Sequence, residues 1–133
     1  MKPLQSAILT VAFMFLGFLI SAQDKVKDFE FKELKPEKTV HSEFDKNYNN
    51  GIEHYNAAIK QLHETSEFAK LEELEALQKT TLDQIKLALP YFEKAYKINS
   101  KDKNVLEALT GCYFSLNDKT NFEKYKKELA AIK

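Results

Sequence analysis

Residues 45–62, DKNYNNGIEHYNAAIKQL, place Tyr48, Ile52, Tyr55, Ile59 and Leu62 at spacings of four, three, four and three. Side chains so spaced share one face of an α-helix, so the stretch predicts an amphipathic helix with an aromatic and aliphatic stripe. Gly51 inside it costs ~1 kcal/mol relative to alanine. Such a loss makes sense where a second helix approaches closely.

Downstream, after the polar stretch His63 to Ser66, a helical stripe runs through Phe68, Leu71, Leu74, Leu77, Leu82, Ile85, Leu89 and Phe92 to about Ile98. This is the longest predicted element. Pro90 within it removes one backbone donor and crowds the carbonyl four residues earlier, which predicts a kink. Thr81 with Gln84 has the form of a capping box, so a break near residue 80 stands as the competing description.

Asn99 to Asp102 reads as a turn, and Asp102 can cap a third helix carrying Val105, Leu106, Leu109, Cys112, Tyr113 and Leu116. Asn117 is a stop signal, because asparagine tolerates the left-handed backbone that ends helices. Thr120 and Glu123 form a second capping box opening a last helix with Phe122, Tyr125, Leu129 and Ile132 on one side. Connections this short force antiparallel neighbours. The fold class expected is all-α: about two antiparallel helical hairpins, with one long second helix, over residues 45–133.

Upstream, Met1 to Ala22 has a basic start at Lys2, an apolar run from Ala7 to Ile20, and small residues at Ser21 and Ala22. That is the layout of a secretory signal peptide. The run of 14 residues is shorter than the roughly 20 needed to cross ~30 Å of hydrocarbon. Residues 1–22 are therefore read as a cleaved leader of an exported, periplasmic or cell-envelope protein. An uncleaved inner-membrane signal anchor is the alternative, and the only route to the membrane. Residues 23–44 are charged, include Pro36 and show one brief alternation at Phe29 and Phe31. They are read as a flexible tether.

Composition narrows the function. Twenty acidic residues balance twenty basic ones, all of them lysine, so the chain lacks the guanidinium fork that reads guanine edges and clamps phosphate. Nucleic acid is not an expected partner. The single cysteine, Cys112, cannot form an internal disulfide and lies in an apolar helical pattern, which points to packing. No phosphate loop, nucleophile elbow or zinc-protease signature occurs, and neither catalysis nor a cofactor is expected. His54, His63 and Glu67 could be imagined around a metal, but without a second paired motif they read as chance neighbours on charged helices.

The segment from about Leu82 to Leu116 resembles a tetratricopeptide repeat junction. Ala88, Phe92 and Ala95, four and three apart, resemble the family's second-helix signature; Leu106, Leu109 and Tyr113 resemble the bulky, leucine and tyrosine positions of the next first helix. The match covers about 35 residues, with Tyr48, Ile52 and Tyr55 able to take the same core roles earlier. Ser100 stands where the family usually has proline, Thr110 where it has glycine, and residues 66–81 are an extra segment. The resemblance implies helical hairpins and a protein–protein interaction or scaffold role. Two hairpins fall below the three or so repeats usual for comfortable stability, so a homo-oligomer is one way of completing the array.

Such arrays bind extended peptides or partner helices on the surface of their first helices. If Tyr48, Ile52 and Tyr55 face the core, Lys46, Asn49, Asn50, Glu53 and Asn56 face that surface. The equivalent side of the third helix shows Asn104, Glu107, Ala108, Gly111 and Phe114. Asparagine amides beside an exposed phenylalanine would suit a peptide backbone plus one apolar anchor. The bland alternative is that these residues merely solvate a helix face. The expected partner is a protein or peptide of the envelope.

Overall fold

The computed structural model describes residues 32–36, 42–64 and 70–132. Residues 1–22, read as a leader, and most of residues 23–44, read as a tether, lie outside the described residues. Four helices follow one another: α1 (Glu43–His63), α2 (Leu71–Ile98), α3 (Lys103–Ser115) and α4 (Lys119–Ala131). No strand occurs among the described residues. The chain is all-α, with α1 packed on α2, α2 on α3 and α3 on α4, and a smaller contact between α1 and α3.

Local chemistry accounts for the helix ends. Ser42 caps α1 by accepting from the Asp45 N–H at 3.1 Å, so the helix begins two residues before the Asp45 start expected from periodicity. α2 is continuous through residue 80 and through Pro90. No break occurs there, because Thr81 is not a cap: it is buried inside the helix, and Thr80 turns its hydroxyl back onto the Ala76 and Leu77 carbonyls at 3.1 and 3.0 Å. Asp102 caps α3 as expected, through the Val105 N–H at 3.0 Å.

α3 ends at the expected residue. Asn117 is left-handed, φ 57°; its N–H donates to the Phe114 carbonyl at 3.0 Å and the Asp118 N–H to Tyr113 at 2.9 Å, the paired bonds of a Schellman stop. Asp118 then caps α4 by accepting from the Asn121 N–H at 3.1 Å. This displaces the Thr120–Glu123 box, since the tight reversal starts the helix earlier than the box would.

Two aromatic clusters hold the hairpins. Phe92 of α2, fully buried, meets Tyr48 and Tyr55 of α1 at ring separations of 6.2 and 6.0 Å, within the range of favourable aromatic pairing. Tyr125 of α4 stacks on Tyr113 at 5.4 Å and meets Tyr96 edge-on at 5.3 Å. Ala88 and Ala95, also fully buried, let the backbones on either side of Phe92 approach.

Gly51 is the close approach anticipated from sequence. A Cβ there would lie 2.7 to 2.9 Å from three ring atoms of Phe92, a ring confined by Tyr48 and Tyr55. Gly51→Ala gains ~1 kcal/mol of helix propensity but overpacks the core at a cost of ~1–3 kcal/mol. We expect a net loss of about 1 kcal/mol, read as a lower urea midpoint at unchanged m-value.

Candidate peptide-binding surface

α1 presents two flanks beside its core stripe. Toward α2 lie Gly51 and His54; His54 Nδ1 pairs with Gln84 Oε1 at 2.9 Å and its ring stacks on Tyr91 at 6.1 Å. His54 is thus engaged between helices, and no group of three or more metal-ligating side chains occurs among the described residues. On the other flank lie Asn49 and Asn56, seven residues apart and both half-buried. Lys46 and Glu53 are exposed and Asn50 is half-buried on the outer face between them.

At Asn56 this flank is covered by the chain itself. Residues 32–36, Lys-Glu-Leu-Lys-Pro, have no regular secondary structure and lie against α1. The Asn56 side chain grips one residue by both backbone groups: the Leu34 N–H donates to Asn56 Oδ1 and Asn56 Nδ2 donates to the Leu34 carbonyl, each at 2.8 Å. The Tyr48 hydroxyl donates to the Lys35 carbonyl at 3.3 Å. Leu34 is buried as part of the core cluster, 7% exposed. Lys32 reaches Glu107 of α3 at 3.9 Å, and Lys103 approaches the same carboxylate from within α3 at 3.9 Å.

Local sequence explains the conformation of this strap. Proline disfavours helical backbone in the residue before it, so Pro36 biases Lys35 toward an extended form. Within the span read as a tether, these five residues are docked. Burying Leu34 contributes ~1.5–3 kcal/mol and each hydrogen bond ~0.5–1.5 kcal/mol, while the exposed ion pair adds at most ~1 kcal/mol. Ordering the strap costs ~1–2 kcal/mol per residue. The opposing contributions are of similar size, so the docked strap is marginally held.

α3 corrects part of the sequence expectation. Val105 to Ser115 are all buried except Glu107, which is half-buried. Phe114 is not an exposed anchor: it is 0% exposed and packs on Phe122 of α4 at 5.4 Å. Ala108 is buried too, and Gly111 faces Tyr55, whose ring carbons would stand 3.0 and 3.1 Å from an added Cβ. The reason is position, because α3 packs against each of the other three helices. Its composition carried that signal: between Val105 and Leu116 the one charged residue is Glu107, and a helix apolar all round is a buried one. Asn104 is exposed in the first turn of α3.

Of the expected partner-binding residues, the structure brings Asn56 and Glu107 together on one ligand-like segment. It leaves Lys46, Asn50, Glu53 and Asn104 at the solvent side and takes Phe114 into the core. Sequence reading missed Leu34 and Lys32 as participants, and the Tyr48 hydroxyl as a donor.

The chemistry of the site is recognition by hydrogen bonds and one apolar contact. Burial raises the Tyr55 phenol well above its usual range, helped by Cys112 and then Glu107. Burial likewise pushes the Cys112 thiol up, with Glu93 adding to it, so this thiol is held protonated and is a poor nucleophile.

Comparison with protein-family models, with curated proteins and with solved structures gives no match. No helix among the described residues is long and apolar enough to cross a membrane.

Proposed function

We propose that this chain is an exported, non-catalytic interaction module of the cell envelope, tetratricopeptide-like in its hairpins, which docks an extended segment of another envelope protein between α1 and α3. One observation carries the reading. A side-chain amide that pairs with both the N–H and the C=O of a single residue recognises extended backbone whatever its sequence, and Asn56 holds Leu34 in this way at 2.8 Å on both bonds. Export rests on the leader-like sequence of residues 1–22.

The test is crosslinking capture from the protein's own envelope fraction, comparing the wild type with an Asn56→Ala, Glu107→Ala double variant by mass spectrometry. We expect a partner recovered at least about fivefold less by the variant, since two lost hydrogen bonds are together worth ~1–3 kcal/mol. Equal recovery of every partner would remove the α1/α3 docking reading.

A second reading, a self-associating structural protein, has its own support. Leu87 and Ile98, 51% and 53% exposed, lie eleven residues apart on α2 and so on one side of that helix. Light scattering at tens of micromolar separates the two: a strict monomer sets self-association aside.

A further inference from the structure

We propose that the α1/α3 surface is selective for extended peptides of the pattern Lys-x-Leu, and that the chain's own Lys32-Glu33-Leu34 is the resident copy of that ligand. The proposal rests on the docking reading above and adds the chemical class of what is docked.

Each position of the pattern follows from a contact. The Asn56 clasp on the Leu34 N–H and C=O sets the register, since only one residue of an extended chain can occupy it. That residue's side chain enters the core cluster at 7% exposure, a place for a leucine-sized apolar group and not for a charge. In extended chain, residues two apart point the same way. The residue two before the leucine therefore faces the protein, where it meets Glu107, the one charge in the apolar body of α3. A lysine fits there.

The intervening Glu33 is exposed, as is Lys35, and neither side chain is read. At Lys35 the contact is again to backbone, from the Tyr48 hydroxyl to its carbonyl. Pro36 preorganises the residue before it and has no N–H to leave unsatisfied, so a proline two places after the leucine favours binding without being gripped. Being marginally held, the strap yields to a peptide that makes the same contacts from another chain.

Fluorescence anisotropy with a labelled nine-residue peptide, the sequence of Glu30 to Lys38, tests this on the full chain. Leu34→Asp in the protein empties the site by placing a charge where the core takes leucine; Leu34→Ala serves the same comparison should that variant not fold by circular dichroism. We expect the strap variant to bind the peptide about two- to tenfold more tightly than the wild type, the factor being the inverse of the fraction of wild type whose site is open, and Asn56→Ala added to it to abolish most of that binding. Lys32→Glu in the peptide should weaken binding about two- to fivefold, the range of an exposed ion pair, with recovery in a Glu107→Lys protein.

Equal binding by wild type and strap variant would overturn the resident-ligand assignment. If the strap variant ignores this peptide yet selects others from a random extended-peptide library, with selection lost in Asn56→Ala, the Lys-x-Leu class is wrong while the docking reading stands. Failure to bind any peptide in the library would overturn both.

Discussion

Phe92→Ala is expected to remove most of the domain's stability. Phe92 is fully buried and lies between Tyr48 and Tyr55 at 6.2 and 6.0 Å, with Gly51 cleared of a side chain to admit its ring. Truncation loses the transfer free energy of the ring and leaves a cavity lined by stiff aromatics that cannot collapse into it, a combination that costs ~3–5 kcal/mol. For a domain of this size that is a fall in Tm of about 12 °C or more, out of a total stability of only ~5–15 kcal/mol. Thermal unfolding followed at 222 nm checks it. A loss below about 1 kcal/mol would mean that the α1/α2 interface is not organised around this ring.

Phe114→Ala decides between two descriptions of α3. As an exposed anchor in a peptide groove, Phe114 could be truncated within about ±0.5 kcal/mol and only capture would suffer. As the residue packed on Phe122 at 5.4 Å and 0% exposed, it should cost ~3–5 kcal/mol and lower the urea midpoint by a corresponding amount. Asn104→Ala and Lys46→Ala, both at exposed positions, are the controls and should stay within about ±0.5 kcal/mol. A neutral Phe114→Ala would return the residue to the surface and undo the packing of α3 on α4. For the same reason a Phe114 variant would confound lost binding with lost stability, and Asn56 is the residue to probe partner binding.

Much of the scaffold was legible in the sequence because helices announce themselves locally. The four-three spacing of Tyr48, Ile52, Tyr55 and Ile59, the Asp102 cap and the Asn117 stop each depend on a few neighbouring residues, and each is where the spacing or the cap predicts. The errors fall where tertiary context overrides a local signal. Thr81–Gln84 and Thr120–Glu123 have the letters of capping boxes, but burial of Thr81 and the Schellman turn before Asp118 assign those positions otherwise. Gly51 was readable as a close approach. That Phe92 makes the approach was not, since nothing in a single sequence states which ring faces which backbone.

The candidate site was half legible. Helix periodicity gave Asn56 and Glu107 each a face of its own helix, and the resemblance to tetratricopeptide repeats put those two faces on one surface. Their occupant could not be placed, because Leu34 is an isolated apolar residue in a charged stretch and its burial depends on contacts 22 residues away in the chain. Phe114 was misplaced by treating α3 as a copy of α1, when α1 has a solvent face and α3 is enclosed by its neighbours.

That enclosure also governs how the molecule comes apart. In a helical repeat array each hairpin touches only the next, so ends can fray while the middle persists. Here α3 packs against α2 and α4 and makes a smaller contact with α1, and its side chains supply part of the interior of both hairpins. Detaching either hairpin strips a wall from the other, so the two are bound to melt together as one cooperative unit. The small size of the fold is thus offset by sharing a single central rod between both of its halves.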